Sequence, residues 1–135
     1  MSSVSITLTF RWPMGHRILG LQGPGAKCAN IHGHNWQADI ELPNDDGKLE
    51  FGLVKAQIGG YIESMLDHGF AVQHDDPFRI YLRDNELKFV AFTHPPTTEV
   101  IASFLAEIAS DLTGVKPLRV HVQEGYRNAA TWRQS

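Results

Sequence analysis

Two histidines, His32 and His34, stand either side of Gly33 in the stretch Lys27-Cys28-Ala29-Asn30-Ile31-His32-Gly33-His34, which also holds the only cysteine of the sequence. In a strand, residues i and i+2 point to the same face. Both imidazoles would then converge on one point, as a metal site needs. Neutral imidazole is a good zinc ligand, and three protein ligands with an open position make the catalytic arrangement. His16, twelve residues before Cys28, is the nearest candidate for the third. Solvated strand histidines have the same spacing, so the pair gains meaning from its company. Cys28 precedes it, Asp67-His68 closes a predicted helix, and Glu124 closes a predicted apolar strand. Together these are the parts of a small metalloenzyme.

Those side chains need elements to hold them. Val4, Ile6, Leu8, Phe10 and Trp12 alternate with polar residues, a period of two that predicts a strand ending near Pro13. The Gly-rich segment 19–27 lacks the Lys-Ser/Thr of a phosphate loop and reads as a flexible approach to Cys28. A second strand is expected over about 34–42. His32 and His34 share the parity of Trp36, Ala38 and Ile40, which places them at the edge of a core. Pro43–Gly47 is turn chemistry without the spaced carboxylates of a calcium loop. Val54, Ile58, Ile62 and Met65/Leu66 mark a helix over about 53–66, with Gly59-Gly60 in its interior and Gly69 as its stop. Residues 70–86 are mixed, with a turn at 74–77 and a short helical turn at 78–83. Residues 87–92 read as a short strand or extended linker.

Thr97 is a natural N-cap, and Ile101, Phe104, Leu105, Ile108 and Leu112 form the stripe of a second helix that stops at Gly114. Leu118, Val120 and Val122 alternate with polar residues, and Glu124 continues their parity. That leaves two readings of Glu124. It is a carboxylate at the end of a buried face, needing a partner, or a solvated residue past the strand end. A short final strand is expected over 128–132.

Length and composition bound the class. The 135 residues read as a single domain over 1–135, long enough to bury roughly two-thirds of the unfolded surface. One cysteine leaves no disulfide framework and favours a reducing, cytoplasmic setting. The opening residues lack the regions of a signal peptide. No stretch reaches the ~18 apolar residues of a membrane span. A net charge of −3 without a basic cluster argues against a nucleic-acid surface.

The ordered set Phe10, His16-Arg17, Cys28-x3-His32-Gly33-His34-Asn35, Glu50-Phe51, Leu66-Asp67-His68, Pro96-Thr97-Thr98-Glu99 and Val122-Gln123-Glu124 resembles the family of 6-pyruvoyl- and 6-carboxytetrahydropterin synthases over nearly the whole length. The Cys-x3-His-Gly-His spacing resembles the enzymes of 7-deazaguanine (queuosine) biosynthesis. The resemblance implies an α+β tunnelling (T-) fold, a four-stranded antiparallel sheet with two antiparallel helices on one face. It implies a homohexamer, a dimer of trimers with active sites between subunits.

It further implies Zn2+ on His16, His32 and His34, and 7,8-dihydroneopterin triphosphate as substrate. Cys28 would be the general base, with Lys27 beside it, and Asp67-His68 a proton relay reaching it from a neighbouring subunit. Glu124 would anchor the pterin, with Thr97, Thr98 and Glu99 helping to form its pocket. The products would be 6-carboxytetrahydropterin, acetaldehyde and triphosphate. The alternatives are a pyruvoyl-type synthase, which eliminates triphosphate without breaking a carbon–carbon bond, and an oligomer that holds zinc and pterin without turnover. The chain departs from the family pattern at Met14-Gly15 before His16, at Glu50, at Gly69–Val72 and at Gly125-Tyr126-Arg127. Arg17, Lys27 and Arg127 are the candidate partners of the triphosphate.

Overall fold

The computed structural model describes residues 2–135. Strand β1 (Ser5–His16) pairs antiparallel with β2 (His32–Pro43), and between them lies a short 3-10 segment, Gly23–Ala29. Helix α1 spans residues 51–66, followed by β3 (Gly69–Gln73), α2 (Phe78–Asp84) and β4 (Phe89–Phe92). Helix α3 (Thr98–Thr113), β5 (Arg119–Glu124) and β6 (Asn128–Arg133) complete the chain.

The expected sheet is corrected here. It has six strands in the order β4-β3-β1-β2-β5-β6, and it is mixed. The four strands β1, β2, β5 and β6 are antiparallel, as expected. β3 and β4 extend the sheet in parallel beyond β1. Short parallel strands with both faces partly covered show no alternation, so residues 70–73 carry no period-two signal.

β1 also runs through Pro13, which faces Asn35 across the ladder. A residue's N–H and C=O point to the same side of a strand. The Pro13 carbonyl accepts from His68 N–H at 2.9 Å. The missing N–H therefore lies on the β3 side, just before that pairing begins at Met14. No ladder bond is lost, so the proline is tolerated.

Alternate β1 and β2 residues (Leu8, Trp12, Met14; Trp36, Ala38, Ile40, Leu42) form the sheet's buried face. Val54, Ile58, Ile62 and Leu66 of α1 pack on it beside Ile101, Leu105 and Ala109 of α3. Gln57 donates to the Leu112 carbonyl, and Tyr61 packs against Phe104, so α1 and α3 run antiparallel. Glu50 caps α1 by accepting from the N–H groups of Gly52 and Leu53. Within α1, Lys55–Gly59 and Ile62–Leu66 widen to π-helical turns around the glycine pair. Two glycines cost about 2 kcal/mol of helix propensity. A Cβ on Gly59 would make only ordinary contact with Phe10, and one on Gly60 would meet nothing, so neither glycine is required by close approach to the sheet.

The stop of α1 is not Gly69. The helix ends at Leu66, Asp67 turns extended, and His68 takes a left-handed conformation at φ +62°. Gly69 already belongs to β3, where a Cβ would press on the Leu66 carbonyl and Lys88.

Candidate metal centre and active site

Strand register alone brings the histidines together. His16 pairs with His32 and Met14 with His34, all on the buried face at one end of the sheet. The ligand nitrogens of His16, His32 and His34 lie within 4.8 Å of one another. Their rings meet edge to face, at centroid distances of 4.6, 5.0 and 5.2 Å. Trp36 forms the floor, set edge-on to His16 and His34 and fixed by its own Nε1–H to the Met14 carbonyl at 3.0 Å.

Backbone carbonyls orient two of the rings. His16 Nδ1 lies 2.9 Å from the Pro96 carbonyl, and His32 Nδ1 lies 2.7 Å from the Asn30 carbonyl. A carbonyl only accepts, so each Nδ1 carries the proton and each Nε2 is left bare. This is how a protein sets a ligand histidine. Nε2 of His16 and of His34 are buried and make no hydrogen bond. Orphaned buried nitrogens converging on one point fit a bound cation, and three imidazoles suit zinc.

Glu124 ends β5 opposite Trp36, and its side chain is 15% exposed. The reading of a partnered carboxylate at the end of a buried face is therefore the correct one of the two, with Glu124 itself half-buried. Its Oε1 lies 3.1 Å from His16 Nε2 and 3.5 Å from His34 Nε2. Burial pushes His34 below its ordinary value; His16 and His32 add to that, and Glu124 opposes it.

The other candidates lie outside this cluster. Cys28 is half-buried in the 3-10 segment, and its carbonyl accepts from Ile18 N–H at 2.8 Å, which ties the segment to the end of β1. His68 Nδ1 sits 2.6 Å from Asp67 Oδ1, and the His68 side chain is 81% exposed. An acceptor on Nδ1 leaves Nε2 facing outward, and the Asp67 carbonyl is held by Lys88 Nζ. His68 lines an open cleft of about 530 Å³ with His32, Gly33, His34 and Phe70. Thr97 spends its hydroxyl capping α3 at Val100 N–H, Thr98 is buried, and Glu99 faces β6 across a separate cleft. That segment meets His16 through the Pro96 carbonyl.

Sequence reasoning missed Pro96 and Asn30 as orienting carbonyls, and Trp36 as the floor; backbone acceptors carry no residue-type signal. It also missed Asp76. Arg17 donates to Asp76 from Nε at 2.8 Å and from a terminal nitrogen at 2.5 Å, and its guanidinium lies 5.8 Å from the Phe78 ring centre. Arg17 is thus engaged, and Lys27 and Arg127 remain as exposed bases near the candidate residues.

A family described as 6-pyruvoyl tetrahydropterin synthase matches residues 5–135. The 6-carboxy-5,6,7,8-tetrahydropterin synthase of Rickettsia felis is 30% identical over 109 residues, covering 76% of this chain and 77% of that protein. Among solved structures, an uncharacterized protein from Wolinella succinogenes superposes with a TM-score of 0.77 at 22% identity, with full coverage of both chains. The 6-pyruvoyl tetrahydropterin synthase of Caenorhabditis elegans gives 0.69 at 19% identity, covering 100% of this chain and 98% of that one. At such identities the structural likeness speaks for the fold alone. With the family match running from the first strand to the last residue, the chain belongs to the 6-pyruvoyl tetrahydropterin synthase family.

Proposed function

We propose that this protein converts 7,8-dihydroneopterin triphosphate to 6-carboxytetrahydropterin, releasing acetaldehyde and triphosphate, as a cytoplasmic lyase of 7-deazaguanine (queuosine) biosynthesis. The observation that carries the reading is the convergence of three histidine nitrogens, two of them buried and without hydrogen bonds, beside Glu124. The name of the Rickettsia felis relative supports the carboxy-type product over the pyruvoyl type.

His16, His32 and His34 would hold Zn2+, which when bound supplies Lewis acidity to the substrate's side-chain oxygens and acidifies the adjoining C–H and O–H groups. The remaining chemistry falls to the chain's own groups. Glu124, ionised, accepts paired hydrogen bonds from the guanidine-like edge of the pterin. Cys28, as thiolate, takes a proton from the substrate side chain. Asp67 fixes the His68 tautomer, so that the outward Nε2 relays a proton. Exposed as it is, His68 serves the Cys28 of a neighbouring subunit, in a hexamer built as a dimer of trimers. Thr97, Thr98 and Glu99 are the cap and first turn of α3, and Glu99 lines a cleft apart from the histidines of its own chain; the segment would help to form a pterin pocket where subunits meet, and Lys27 and Arg127 would meet the triphosphate.

The test is incubation of the zinc-loaded protein with 7,8-dihydroneopterin triphosphate, read by pterin mass and an acetaldehyde assay. Carboxytetrahydropterin with acetaldehyde is the expected result. A pyruvoyl product without acetaldehyde would move the protein to the sister activity. Untouched substrate with zinc bound would reduce it to a binding protein.

A further inference from the structure

We propose that Glu124 is the fourth ligand of the metal in the substrate-free protein, so that the resting centre is closed by a carboxylate. The inference deepens the reading above and rests on its metal centre. Zinc bonds of about 2.0–2.1 Å at tetrahedral angles put neighbouring donor atoms about 3.3–3.4 Å apart. Glu124 Oε1 lies 3.1 Å from His16 Nε2 and 3.5 Å from His34 Nε2, on either side of that edge length. The same oxygen therefore takes the ligand spacing against two of the three histidines, and it lies beyond 4 Å from His32, a distance that the metal would close by drawing the carboxylate in.

The contact needs something between its partners. His16 gives its Nδ1 proton to Pro96, so its Nε2 presents a lone pair to a carboxylate. A bare ring nitrogen and a carboxylate oxygen held 3.1 Å apart with no hydrogen bond between them repel unless both are turned toward a shared cation. Neither Nε2 makes a hydrogen bond, although the oxygen is within 3.5 Å of both. The oxygen is thus close to both nitrogens without being the hydrogen-bond partner of either, as a co-ligand is.

The register explains why this residue can do it. Trp36 pairs with Glu124 on β5, and it stands two residues from His34 on β2. The carboxylate thus enters the cluster from the third strand, on the same face as the histidines. A pterin that claims Glu124 would withdraw it from the metal and open the coordination position where the side chain must bind. One carboxylate would couple seating of the ring to exposure of the metal, and an ion in the substrate-free site would stay shielded from water.

The experiment compares wild type with Glu124→Gln and Glu124→Ala. Zinc affinity is measured by competition with a chromophoric chelator, and the Co2+-substituted proteins are compared by visible absorption. Circular dichroism of the metal-free forms checks folding, and Glu124→Gln keeps the side-chain shape. The expected result is 1:1 metal in all three, affinity about tenfold or more weaker in both variants, and altered Co2+ bands. Equal affinity within twofold, with superimposable Co2+ spectra, would overturn the proposal and leave the three-histidine centre standing. Failure of the wild type to bind one metal per chain would defeat the metal reading itself. A crystal of the zinc-loaded protein with water in the fourth position, and Oε1 beyond 3 Å, would also overturn it.

Discussion

An imidazole becomes a metal ligand only when one nitrogen is bare and held in direction, and here two backbone carbonyls meet that requirement for His16 and His32. Glu124 shows what residue type alone leaves open, since a carboxylate at a strand end is solvated or partnered according to what stands opposite. The catalytic assignment is sharpest at Cys28, which lies outside the histidine cluster. Replacing Cys28 by Ala is expected to lower kcat by about 10²–10⁴, with one zinc per chain retained. Turnover equal to wild type would remove the thiol from the mechanism. Loss of zinc would make it a ligand and not a base.

At the scale of elements, Gly15 and Phe70 fit each other across two strands. A Cβ on Gly15 would come within 2.4 and 2.6 Å of ring carbons of Phe70, across the pairing of β1 with β3. Gly15 is therefore the residue that makes room for Phe70 beside His16. Gly15→Ala should destabilise by about 1–3 kcal/mol, the usual range for overpacking, and most of that loss should vanish in a Phe70→Ala background. Additive effects in a double-mutant cycle by urea unfolding would show that the two do not compensate.

The Arg17–Asp76 pair ties the end of β1 to the start of α2. The Asp76 side chain is 1% exposed, and the Arg17 guanidinium holds its carboxyl below the usual range. A native pKa below the unfolded one means that the unfolded chain binds the proton more tightly. The stabilisation is then complete above the ordinary carboxylate value of about 4, and it is lost as pH falls through the lower native value. Asp76→Asn should cost about 3 kcal/mol near neutral pH, as does removal of one partner of a buried pair. The difference from wild type should shrink on acidification below pH 4, measured by denaturant unfolding across pH. A constant difference would mean that Asp76 acts only through packing.

Over the whole molecule, the sheet ends in two edge strands, β4 and β6, whose outer backbone groups have no strand beside them among the described residues. Edges of this kind invite pairing with another copy, and the His68 side chain, 81% exposed, is free to meet one. Sites shared between subunits predict rescue on mixing. Cys28→Ala and His68→Ala proteins, each inactive, are dissociated in mild denaturant and reassembled together. Random assembly should restore roughly a quarter of wild-type activity, because a quarter of shared sites then combine an intact Cys28 with an intact His68. No recovery, with mixed oligomers demonstrated by native mass spectrometry, would place the whole site within one chain. Among the described residues, no helix is long and apolar enough to cross a membrane.

Much of this architecture is legible in the amino-acid sequence by itself, because it follows from local periodicity. The alternation of β1, β2 and β5, the stripe of α3 and the Thr97 cap each depend on neighbours a few residues away. The shared parity of His32, His34 and Trp36 already sets them on one face. Whatever depends on partners distant in sequence is not legible there. The parallel strands β3 and β4, the passage of β1 through Pro13 and the left-handed turn at His68 are decided by what lies alongside. So are the ion pair of Arg17 with Asp76, 59 residues apart, and the Pro96 carbonyl that sets the tautomer of His16 from 80 residues away. Periodicity says which way a side chain faces; only the packed fold brings a partner to meet it.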